Sequence, residues 1–109
     1  MKTYDSKLVD ILANNNVLII KDNVDLIAFR NILIKIGLDA FPKQTFVDLV
    51  ADVKRWNRQH NKTYSNESVY YIEYRNDKGF GFWQDEIQNL VDWYGITPFS
   101  MEELLKEIK

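Results

Sequence analysis

Residues 69–83 read Val69-Tyr70-Tyr71-Ile72-Glu73-Tyr74-Arg75-Asn76-Asp77-Lys78-Gly79-Phe80-Gly81-Phe82-Trp83, and the fold turns on them. The first seven residues are rich in aromatic and β-branched side chains, the composition of a pleated strand. Side chains alternate along a strand, so Tyr70, Ile72 and Tyr74 share one face and Val69, Tyr71 and Glu73 the other. Asn76-Asp77-Lys78-Gly79 is a strong turn, which predicts that Phe80 to Trp83 pairs back as a hairpin.

Toward the N-terminus, Val17-Leu18-Ile19-Ile20 is an apolar run bounded by turn residues, the pattern of a buried central strand. Before it, Leu8, Ile11 and Leu12 fall on one face of a short helix over residues 5–14. After it, Asp22 or Asn23 caps a helix with Leu26, Phe29, Leu33 and Ile36 on one side, and Gly37 ends it. Thr45 with Asp48 forms a capping-box start for a helix bearing Phe46, Leu49, Val50, Val53 and Trp56. Its opposite face carries Asp48, Asp52, Arg55 and Gln59.

Toward the C-terminus, Asp85 and Glu86 suit a helix N-terminus, followed by the stripe Ile87, Leu90, Val91 and Tyr94 and a stop at Gly95. Ile96 to Phe99, with Pro98 inside, reads as an edge strand. Ser100 and Glu103 cap a last helix that uses Met101, Leu104, Leu105 and Ile108. The expectation is a single α+β domain over residues 1–109, in the order α–β–α–α–β–β–α–β–α. Its inner part reads as a βαββαβ, ferredoxin-like core with a small antiparallel sheet.

Composition narrows the function. The 109 residues are 46% hydrophobic and 28% charged and contain no cysteine, which excludes disulfides, thiolate chemistry and cysteine-based zinc sites. The start of the chain lacks a signal-peptide pattern and no apolar run spans a bilayer, so a cytoplasmic protein without membrane contact is expected. Net charge is only −2, but residues 43–79 carry seven bases against five acids while residues 80–109 carry six acids against two bases. His60 is the single histidine and reads as a surface residue. Asp48 and Asp52 sit four apart on a helix, as a general acid/base or magnesium pair does, yet helical surfaces carry such pairs constantly and cations lie nearby. With no glycine-rich phosphate loop, GxSxG turn or HExxH helix, neither enzymatic activity nor a metal or other cofactor is expected.

Lys78-Gly79-Phe80-Gly81-Phe82 resembles the start of the RNP1 signature of RNA-recognition motif domains. That resemblance implies a single-stranded nucleic-acid binder in which Phe80 and Phe82 stack on bases and Lys78 reaches a phosphate. Lys54, Arg55, Arg58 and Lys62 would then grip the backbone. The signature calls for an aliphatic residue next, whereas Trp83, Gln84 and Asp85 follow. The other reading of the run is a tight hairpin whose two phenylalanines enter the core. Whether Phe80 and Phe82 lie on an open face decides between them.

In size, composition and overall pattern the chain also resembles the small accessory proteins of phages and mobile elements in low-GC bacteria. This resemblance implies a non-enzymatic protein-binding module that inhibits a host defence protein such as a CRISPR nuclease, itself nucleic-acid-binding. The contact residues expected are Tyr71, Trp83 and Trp93, anchors of the type common at interfaces, with Asp85, Glu86 and Asp92 for charge complementarity.

Overall fold

The computed structural model describes residues 10, 12, 16–35, 37, 40–75, 79–92 and 95–108. The helix expected over residues 5–14 lies outside them except for Asp10 and Leu12, of which Leu12 is buried. The elements are β1 (Asn16–Ile19), α1 (Asn23–Lys35), α2 (Phe46–Gln59), β2 (Ser68–Arg75), β3 (Gly79–Glu86), α3 (Ile87–Asp92), β4 (Thr97–Phe99) and α4 (Met101–Ile108). The α+β class holds, and no helix of the described residues is long and apolar enough to cross a membrane.

Local chemistry starts the helices where the sequence places them. The Asp25 amide donates to Asp22 Oδ1 at 3.0 Å. Thr45 and Asp48 form a reciprocal capping box, as do Ser100 and Glu103 at 3.1 and 3.2 Å; each pair satisfies amides that the first helical turn leaves without partners. Gly37 takes a positive φ of 77° just past α1, a conformation that costs a side-chain-bearing residue far more.

The sheet runs β3-β2-β1-β4. β2 and β3 pair antiparallel over their full lengths, with Tyr71 opposite Trp83 and Ile72 opposite Phe82. β1 pairs antiparallel with β2 and parallel with β4. The sheet is therefore mixed, and it lacks the split βαβ of a ferredoxin-like core. In that arrangement a third strand separates the two joined by the first helix; here β1 and β2 are direct antiparallel neighbours. The route from β3 to β4, which includes α3, links opposite edges of the sheet. Because β3 and β4 both run parallel to β1, this is a crossover, not a hairpin return.

Alternation gives the sheet two unequal faces. Leu18, Ile20, Ile72 and Phe82 pack with Leu26, Phe29 and Leu33 of α1, Leu49 and Val53 of α2, and Met101 and Leu104 of α4. Phe80 meets Phe29 edge-on at 5.5 Å, and Tyr70 stacks on Phe82 at 5.9 Å. The second face holds a smaller cluster of Val17, Tyr71 and Leu90, with Val69, Trp83 and Ile96 against it. Only Leu90 of α3 is buried; Ile87 and Val91, expected in an apolar stripe, are exposed. The reason is that β3 extends through Glu86, further than its pattern suggested. That leaves α3 six residues and one side chain aimed at the sheet.

Phe82 therefore belongs to the main core. Phe82→Ala is expected to cost about 3–5 kcal/mol, the range for emptying an aromatic site, read as a fall in the urea midpoint with little change in slope. A stacking platform open to solvent would lose far less.

Candidate functional site

The second face is where side chains of different chemistry converge. Strands of eight residues extend roughly 26 Å, whereas a six-residue helix spans only roughly 9 Å. α3 therefore cannot cover the whole face, and what it leaves is a cleft of about 370 Å³. Trp56, Lys62, Tyr64, Tyr71, Glu73, Trp83, Gln84, Asp85 and Ile96 line it. The hairpin register puts Tyr71 and Glu73 beside Trp83 and Asp85 on one side of the sheet.

Gly81, opposite Glu73, lets the indole of Trp83 lie across the strand. A methyl group on Gly81 would fall 2.7 Å from Trp83 Nε1 and 3.5 Å from Glu73 Oε1, so the bare Cα is what makes room for the ring. Trp83 Nε1 is buried there without a hydrogen-bond partner among the described residues, an arrangement that costs free energy. Trp56 reaches the same place from α2, its ring meeting Trp83 at 5.3 Å and 72°. On its other side Trp56 stacks with His60 at 4.0 Å, and His60 Nδ1 lies 2.9 Å from the Trp56 carbonyl oxygen, which accepts.

The wall formed by residues 60–67 is tied down by polar groups. Asn61 adopts a φ of 55° and the Lys62 amide donates to Asn57 O at 2.8 Å, reversing the chain toward the cleft. Buried Asn57 donates to Gln84 Oε1 at 3.0 Å, and Gln84 donates to Ser68 Oγ at 2.7 Å. Ser68 Oγ donates to the Ser65 carbonyl at 2.8 Å. Ser65 in turn donates from its amide and its hydroxyl to the two oxygens of Glu86, each at 2.7 Å. These bonds hold the Glu86 carboxyl below the ordinary glutamate pKa, the amide bond contributing most, with slight desolvation opposing.

The expected contact residues divide. Tyr71, Trp83 and Asp85 come together in the cleft. Asp85 is not a surface acid: it is only 9% exposed, and its Oδ1 accepts from the Glu86 amide at 2.7 Å and from Asn89 Nδ2 at 3.0 Å. Glu86 is turned to Ser65, and Asp92 lies on α3 within hydrogen-bond contact of Gln88. Trp93 and Lys78 lie outside the described residues. Of the residues expected for nucleic acid, Lys54, Arg55 and Arg58 are exposed on α2, and Arg55 pairs with Asp52 at 3.2 Å. Lys62 stands apart from them, at the cleft. Phe80 and Phe82 face the helices, so they form no open stacking surface; Phe82 is buried and Phe80 half-buried because their alternation matches Tyr70 and Ile72 on the core side.

Trp56, Tyr64 and Glu73 were not anticipated as site residues. Glu73 was legible, since alternation from Tyr71 puts it on the same face. Trp56 and Tyr64 depend on where α2 and the following loop dock, which no local pattern records. Among the described residues no three histidine, aspartate or glutamate side chains are grouped to hold a metal ion. Compared with known proteins, the chain matches no family model, no curated protein and no solved structure.

Two measurements check this geometry. Gly81→Ala is expected to displace the Trp83 indole and cost about 1–3 kcal/mol, as overpacking does, seen as a moved indole N–H resonance and a lower melting temperature. Glu86, its pKa depressed in the fold, contributes stability that is present above its unfolded pKa and lost as pH falls through its folded one. Its NMR titration midpoint should lie below the ordinary glutamate value, and Ser65→Ala should move it part of the way back.

Proposed function

We propose that this protein is a non-enzymatic protein-binding module, and that its partner is a host defence protein such as a CRISPR nuclease. The observation that carries the binding reading is the cleft itself. Trp56, Tyr64, Tyr71 and Trp83 line it together, the residue types that anchor interfaces because they bury large area at low entropic cost. Glu73 and Asp85 set a negative floor beside them. The cleft is open on the side that α3 leaves bare, so a protruding side chain or loop of a partner can enter it. The defence assignment rests on the overall resemblance to phage and mobile-element accessory proteins, and the mode of action it implies is stoichiometric blocking.

The test is a panel of bacterial strains, each restricting phage through one CRISPR nuclease, with and without the protein expressed. The expected outcome is restored plaque formation in at least one strain, and suppression of target cleavage by the purified protein at an equimolar ratio. The double variant Trp56→Ala with Glu73→Lys, folded by circular dichroism, should lose both effects. If no nuclease responds, and single-stranded RNA instead binds in a salt-sensitive manner that Lys54→Glu with Arg58→Glu abolishes, the protein is a nucleic-acid binder acting through the outer face of α2.

A further inference from the structure

We propose that the cleft is a receptor for a guanidinium group, the side chain of an arginine presented by a partner polypeptide. This deepens the binding-module reading and rests on it. The first argument is charge. Among the described residues, two carboxylates, Glu73 and Asp85, line the cleft against one ammonium, Lys62, and Lys62 is exposed whereas Asp85 is buried. Asp85 Oδ1 is committed to Glu86 and Asn89; Oδ2 takes no hydrogen bond from the described residues. An incoming cation therefore meets negative charge at depth, where solvent screens it least.

The second argument is the walls. Trp56 and Trp83 meet at 72°, so their rings form a corner, with Tyr71 and Tyr64 as further walls. Aromatic faces attract cations through their quadrupoles, tryptophan most strongly. Arginine suits this better than lysine: its guanidinium is planar, stacks on rings, carries less hydration and presents donors in a fork that carboxylates accept. The third argument is size. About 370 Å³ lies within the range of built ligand sites, roughly 300–1,000 Å³, enough for one extended side chain and part of its backbone. A nucleotide fits the rings but brings phosphate toward two carboxylates, which disfavours it.

The test uses the full chain, ¹⁵N-labelled, titrated separately with acetyl-Gly-Arg-Gly-amide, with the same peptide carrying citrulline, and with adenosine monophosphate. Citrulline keeps the shape of arginine and removes its charge. The expected result is saturable movement of the Trp56 and Trp83 indole N–H signals with the arginine peptide, at a dissociation constant on the order of millimolar for one isolated side chain. The citrulline peptide should bind about tenfold more weakly or worse, and Glu73→Gln should weaken the arginine peptide about tenfold. Lys62→Ala should tighten it by about twofold to threefold, since it removes a cation that lines the cleft. Equal binding of both peptides, silence of both, or movement with adenosine monophosphate alone would overturn the proposal. None of those results touches the binding-module reading, which stands or falls on the phage and cleavage assays.

Discussion

The antiparallel pairing of β2 with β3 is the constraint from which the rest of this structure follows. With Ile72 opposite Phe82 and Tyr71 opposite Trp83, one register assigns every aromatic of the hairpin to a face. A slip by one residue would exchange the faces wholesale, putting Trp83 against the helices and Phe82 in the cleft. The register is held by unequal demand. Tyr70, Ile72, Phe80 and Phe82 together fill a core shared with three helices, while Glu73 and Asp85 cannot enter that core without losing hydration. The slipped pairing would carry Glu73 and Asp85 toward the helices and take Ile72 and Phe82 away from them, so it is costly in both directions.

The same pairing explains why the protein has a cleft at all. Among the described residues, three helices pack on the first face, whereas the second is crossed by the short link to β4, from which α3 supplies one buried side chain, Leu90. A longer helix would have closed the face with apolar contacts. Instead Trp83 folds across Gly81 and Trp56 comes round from α2 to meet it. This substitute is less complete: Trp83 Nε1 finds no partner among the described residues, and the surface stays concave and chemically mixed. It is a concave region lined by aromatic rings and carboxylates and left open by the described residues, which is the physical reason it stands as the candidate site.

Much of this architecture was legible because it is written locally. Thr45 with Asp48, Ser100 with Glu103, and Asp22 before α1 are caps whose partners lie three residues away, and each forms as its spacing requires. The alternation of residues 69–75 fixed the two faces of β2, and Pro98 sits in a short edge strand. What escaped is non-local. The neighbours of β1 depend on how the two crossings pack, so an order of elements compatible with a ferredoxin-like core yields a mixed sheet instead. Asp85 looked like a helix-start acid because the end of β3 was placed at Trp83, three residues before Glu86; as a strand residue paired with Val69 it is buried and lines the cleft.

The glycines of Lys78-Gly79-Phe80-Gly81-Phe82 show how one short motif serves two physical ends. In an RNP1 strand, glycines keep space clear so that flanking aromatics can stack on bases. Here Gly79, at a φ of 79°, begins β3, and Gly81 clears space for the indole of Trp83 on the opposite face from Phe80 and Phe82. Gly81 is thus required by the ring two positions later, and Gly79 by its own backbone angle. The mixed aromatic and charged chemistry of the hairpin therefore lies on the face of Tyr71, Glu73 and Trp83, where among the described residues Glu73 and Asp85 line the cleft together with Lys62, and not on the face of Phe80 and Phe82.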